Sequence, residues 1–144
     1  MCGVFSVYMS STFADKDKLK DIISLIATLS QTRGQDATGI AVNNFANKEV
    51  HLYREPLKAA EFIKKKDFDK IFQSNFSAGA CVVGHNRLAT NGSNAYINNN
   101  QPISYHSHVC AQNGIVTNME TLIKEFPGKY ELDTYLISEI FDKA

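Results

Sequence analysis

Met1-Cys2-Gly3-Val4-Phe5-Ser6-Val7 opens the chain, and the reading of every later segment depends on it. A cysteine stands directly behind the initiator methionine, and a second residue this small permits methionine removal. Cys2 then becomes the N-terminus and carries a thiol and a free α-amine on one residue. The thiol is a nucleophile. An α-amine ordinarily titrates near about 7.7–8.0, which suits it to act as general base at neutral pH. Gly3 lets chain and substrate approach closely, and residues 4–8 read as a buried strand. The plainer reading makes Cys2 a small apolar residue in a first strand. This stretch alone does not choose between the two.

The 144 residues suit one domain, 1–144, with a core of its own. Hydrophobic residues make up 44% and charged residues 21%, a globular balance rather than a disordered one. Fifteen basic residues offset fifteen acidic ones, which argues against a nucleic-acid partner. The one basic cluster, Lys64-Lys65-Lys66, runs into Asp67 and Asp69 and reads as a solvated helix end. No apolar run approaches the roughly 20 residues of a membrane span, and no charged segment precedes the first apolar run as in a secretory signal. Three cysteines without framework spacing fit a reducing cytoplasm.

Along the chain, Leu19, Ile22, Ile23, Leu25, Ile26 and Leu29 recur at helical spacing, so the sequence predicts a helix over 18–32 that buries this stripe and stops at Gly34. Ile40-Ala41-Val42 and residues 49–54 predict a hairpin that ends at Pro56. Residues 59–76 predict one or two short helices, and residues 78–84 a small-residue strand. An asparagine-rich loop follows, closed by Gln101-Pro102. Residues 106–111 alternate as a strand that continues over 115–118. A helix begins at Met119, Pro127-Gly128 makes a turn, and a last helix covers 132–141. Strands and helices mixed without a regular βαβ rhythm predict an α+β fold.

Three loops carry groups a bare scaffold does not need. Residues 33–39 place Arg33 and Asp36 between glycines, where a plain helix stop with a surface ion pair is the simple account. Residues 84–92 run a strand into His85, Arg87 and Thr90, and an arginine there suits a carboxylate bidentately. A solvated or structurally paired arginine is the alternative. Asn113-Gly114 reads as a hairpin turn or as an oxyanion hole, with a side-chain amide beside a backbone N–H.

Together these segments resemble the glutaminase domain of the class II glutamine amidotransferases, which are N-terminal-nucleophile hydrolases. The matching residues are Met1-Cys2-Gly3, Arg33-Gly34-x-Asp36-x-x-Gly39, Gly84-His85-x-Arg87-x-Ala89-Thr90, Gln101-Pro102, Asn113-Gly114-x-x-x-Asn118 and Asp133-Thr134. Each is weak alone, but six in the family's order span nearly the whole chain. The resemblance implies a four-layer αββα sandwich, incomplete here at the C-terminus, where an exposed sheet edge would favour association into a homo- or hetero-oligomer. It implies hydrolysis of L-glutamine to glutamate and ammonia, without a cofactor or metal, and an ammonia-accepting synthase domain or subunit as partner. Cys2 would be the nucleophile, with Asn113 and Gly114 stabilising the oxyanion. Arg87 would hold the substrate carboxylate and Asp133 its ammonium. Leu88, Thr90 and Asn91 would line the pocket, and Arg33 would lie beside the nucleophile. Gln112, Leu88 and Asn91 stand where many members, or the glucosamine-6-phosphate branch, carry His, Trp and His. These departures bear on the branch rather than on the reaction.

Two other readings remain open. A glutamine-binding or regulatory module of the same fold would keep the pocket without turnover, above all if Met1 stays in place. His106, His108 and Cys110, alternating on one predicted strand, would share a face and offer three zinc ligands. Side chains packed in a sheet are the simpler account of these three, and Cys81 and Cys110 read as buried, inert thiols.

Overall fold

The computed structural model describes residues 1–13, 15–90, 92–126 and 131–143. Four strands form one antiparallel sheet: β1 (Gly3–Ser10), β2 (Ala37–Asn44), β3 (Glu49–Glu55) and β4 (Gly79–Arg87), in the order β1-β4-β2-β3. Opposite Gly84 lie Phe5 on one side and Ile40 on the other. Side chains alternate across a strand, so Phe5, Met9, Ile40, Val42, Ala80 and Val82 share one face and are buried there.

Helices α1 (Lys16–Ser30), α2 (Ala59–Phe62) and α3 (Lys66–Ile71) cover that face. Asp15 caps α1 by accepting from the Asp17 and Lys18 N–H groups, both at 3.0 Å. Leu19, Ile23 and Ala27, one turn apart, are buried against the sheet. Leu25 and Leu29 depart from the expected stripe and are 60% and 65% exposed. The sheet reaches only one side of α1, and both lie on the far side. Phe62, Phe68 and Phe76 fill the core beside α2 and α3. The helix end also differs from expectation. α1 passes into a 3-10 turn, Gln31–Arg33, and Gly34 is extended at φ −168°. Its lack of a side chain serves close packing instead.

The sheet's other face meets a hairpin of β5 (Ile103–Tyr105) and β6 (His108–Cys110). A cavity of about 260 Å³ lies between them, lined by Ala41, Val83, Ser104 and Val109 among others. α5 (Asp133–Lys143) packs on β5 and β6, and α4 (Met119–Glu125) packs on α5. The strand expected over 106–111 and 115–118 is mostly absent. His106 sits in the hairpin turn at φ +43°, and no strand covers 111–118. Side chains take the place of a ladder there. Gln101 Oε1 accepts from the Gln112 N–H at 2.7 Å and Asp133 Oδ2 from the Val116 N–H at 2.9 Å. The turn takes His106 off the strand of His108 and Cys110. Among the described residues no three His, Cys, Asp or Glu side chains are grouped to hold a metal ion. Cys81 and Cys110 are half-buried rather than buried. The expected Pro127-Gly128 turn lies outside the described residues. No helix among the described residues is long and apolar enough to cross a membrane.

Candidate active site

The start of β1 and the end of β4 lie side by side, with Gly3 opposite Asn86. Cys2 therefore meets the chain where it leaves β4. Its Sγ accepts from the Leu88 N–H at 3.4 Å and lies 3.6 Å from the Leu88 carbonyl oxygen, which can accept from the thiol. The Cys2 N–H donates to Asn113 Oδ1 at 3.0 Å, and Arg33 Nε donates to the Cys2 carbonyl at 3.0 Å. Both polar ends of this residue, thiol and nitrogen, are thus held by residues far away in sequence. Met1 is 78% exposed.

A cleft beside Cys2 is lined by Arg87, Leu88, Thr90, Gln101, Gln112, Gly114, Leu132 and Asp133. It holds about 30 Å³, room for roughly two water molecules. Arg87 is 4% exposed. Its Nη1 donates to Asn100 Oδ1 at 3.0 Å and its Nη2 to the Gly92 carbonyl at 2.8 Å. Burial lowers the pKa of its guanidinium, while Cys2 and Asp36 act in the opposite direction. An arginine so placed stays charged, fixed in the cleft wall by the asparagine loop. Asp133 opens α5, where the helix end favours a carboxylate. One of its oxygens holds the Val116 N–H, which fixes the chain beyond Asn113-Gly114.

Behind the cleft, His85 is 1% exposed and its Nε2 lies 3.1 Å from the Gln112 carbonyl. Burial pushes its pKa down to about 4, against a smaller opposing effect of that hydrogen bond. The ring is therefore neutral at pH 7, with Nε2–H as donor and Nδ1 unpartnered. Two glycines permit the assembly by closeness. A Cβ on Gly34 would lie 2.4 Å from the Arg87 carbonyl carbon, and one on Gly39 would lie 2.2 Å from the Gln101 oxygen. The first lets residues 34–36 lie along the end of β4. The second lets Gln101 settle on the sheet.

The structure thus brings together Cys2, Asn113, Gly114, Arg33, Arg87, Leu88, Thr90 and Asp133, residues separated by up to 131 positions in the sequence. Asn91 lies outside the described residues. Neither Asn113 nor Gly114 has a positive φ, which rules out the tight two-residue hairpin turn that Asn-Gly otherwise signals. Sequence reasoning gave no role to Gln101, Gln112, Asn100 or Leu132, which line or brace the cleft. Gln101 already stood in a matching motif, as did Asp36. Asn100 was hidden in a run of three like residues.

No protein-family model matches the chain. Two curated proteins are similar to it over 99% of its length at 28% identity. They are the glutamine–fructose-6-phosphate aminotransferases (isomerizing) of Bacillus spizizenii and Bacillus subtilis. The likeness fits a class II glutamine amidotransferase. The chain spans 22% of the length of these relatives. The Cys2–Asn113 and Cys2–Leu88 contacts join the N-terminus to the cleft.

Proposed function

We propose that this chain is a glutamine-hydrolysing amidotransferase domain, 1–144, built on the N-terminal-nucleophile αββα sandwich. The helix layer, the four-stranded sheet, the β5–β6 hairpin and α5 support that fold. The observation that carries the function is the setting of Cys2. Its nitrogen lies on Asn113 and its sulfur on the Leu88 peptide, at the mouth of a cleft walled by one cation and one carboxylate. A free amino acid carries one group of each charge, and Arg87 and Asp133 are complementary to that pair.

In this reading methionine removal turns the Cys2 nitrogen into an α-amine that accepts the thiol proton. The sulfur attacks the side-chain amide carbon of L-glutamine. Asn113 Oδ1 already holds the Cys2 nitrogen, which leaves Nδ2 of the same amide, with the Gly114 N–H, as oxyanion donors. The ammonium formed at Cys2 returns its proton to the leaving nitrogen, and ammonia departs. Water hydrolyses the thioester to glutamate and frees the thiol. The ammonia goes to a synthase domain or subunit.

The second reading is a glutamine-binding module without turnover, which holds where Met1 stays in place and the Cys2 nitrogen remains a peptide nitrogen. Intact mass before and after treatment with 6-diazo-5-oxo-L-norleucine separates the two. Loss of one methionine mass and gain of one adduct on Cys2 is the expected result. Retained methionine with no adduct would overturn the hydrolase.

A further inference from the structure

We propose that Asp36 is a positioning residue for the nucleophile, acting through the backbone on both sides of Leu88. This rests on the reading of Cys2 given above. β4 ends at Arg87, so Leu88 and Ala89 have no ladder to hold them, and both are exposed. Asp36 replaces it. Its N–H donates to the Arg87 carbonyl at 3.0 Å, and its Oδ2 accepts from the Ala89 N–H at 2.7 Å. Its own carbonyl accepts from Asn94 Nδ2 at 2.8 Å, which draws in the asparagine loop. The peptide groups flanking Leu88 are therefore both fixed on one residue.

What lies between them is the functional contact. The Leu88 N–H and C=O are the two groups that meet Cys2 Sγ. A rotation of the 87–89 backbone carries both away from the sulfur. Of the three Asp36 bonds only the one to Ala89 uses the side chain, so a substitution can remove it alone. A short bond from an N–H to a carboxylate is among the stronger hydrogen bonds. Gly34, two residues earlier, removes the side chain that would keep this segment off β4.

The test compares Asp36→Ala with Asp36→Asn in the full chain. Each cysteine's alkylation rate with iodoacetamide is followed by peptide mass mapping, and Cys81 and Cys110 serve as internal references. Asp36→Ala is expected to slow Cys2 about tenfold, the scale of one lost hydrogen bond. Asp36→Asn, which keeps an acceptor oxygen, stays within about twofold, and neither variant changes Cys81 or Cys110. An unchanged Cys2 rate in Asp36→Ala overturns the proposal, as does an equal fall in Asp36→Asn. Should Asp36→Ala fail to fold, amide hydrogen exchange of the wild-type chain decides. A protected Ala89 amide supports the latch and a freely exchanging one removes it. A wild type that releases no glutamate, with Cys2 still slowed in Asp36→Ala, defeats the hydrolase reading and leaves this one standing.

Discussion

Cys2 brings its own chemistry, but its neighbours determine what the chemistry can do. A thiol and a nitrogen on one residue are useful only when each has a partner, and here Leu88 and Asn113 supply them. Replacing Asn113 with Ala is expected to lower the kcat of glutamine hydrolysis by about 10²- to 10³-fold, the usual cost of one oxyanion donor. Glutamate release under saturating glutamine measures it. Asp133→Asn keeps an oxygen to accept the Val116 N–H but removes the charge offered to a substrate ammonium. It is expected to raise KM by roughly 10- to 100-fold, on the scale of a hydrogen bond to a charged group. The melting temperature should change little. An unchanged KM would take Asp133 out of the substrate's reach.

At the scale of elements, the site exists because the ends of β1, β2 and β4 converge. Gly34 is a point of close backbone contact in that convergence. Gly34→Ala puts a methyl carbon against the Arg87 backbone, where no flexible side chain can yield. Overpacking of this kind costs typically about 1–3 kcal/mol, and here its displacement falls on the backbone next to Leu88. The expected outcome is a lower melting temperature together with slower Cys2 alkylation. Phe68, on α3, is fully buried with its ring 5.6 Å from that of Phe62. Phe68→Ala is expected to cost about 3–5 kcal/mol in urea unfolding, while the native fraction keeps its Cys2 reactivity.

For the whole molecule, the buried neutral His85 couples stability to pH. Its pKa of about 4 in the folded chain lies below the ordinary 6.5. Folding therefore disfavours the proton. Its stabilising contribution is intact above about pH 6.5 and is lost as pH falls from there towards about 4. A depression of that size corresponds to at most about 3 kcal/mol across the window. Urea unfolding at several pH values should show a steeper decline for the wild type than for His85→Gln. Equal slopes would mean that other groups set the acid sensitivity. The Nε2–H donor to the Gln112 carbonyl is present in both protonation states, so the acid sensitivity comes from burying the charge and not from losing that contact.

Much of this was legible in the sequence. Helical spacing located α1 and α5, an apolar run located β2, alternation located β3, and a cysteine behind Met1 drew the eye to the N-terminus. Those signals are local: a period of 3.6 or 2 along one segment, or the chemistry of one side chain. The β6 region misled because alternation over 106–111 looked like a strand, whereas side chains of Gln101 and Asp133 claim the N–H groups a longer ladder would need. Leu25 and Leu29 misled because periodicity tells which residues share a face, not how much of it another layer covers. The role of Gly34 was beyond the sequence as well, since its neighbour in space, Arg87, is 53 positions away. The sequence by itself determined most of the elements and which residues carry thiol, amide and charged groups. Only the tertiary structure decided which of those groups meet, because hydrogen bonds and steric contacts depend on distances in space, and packing sets those.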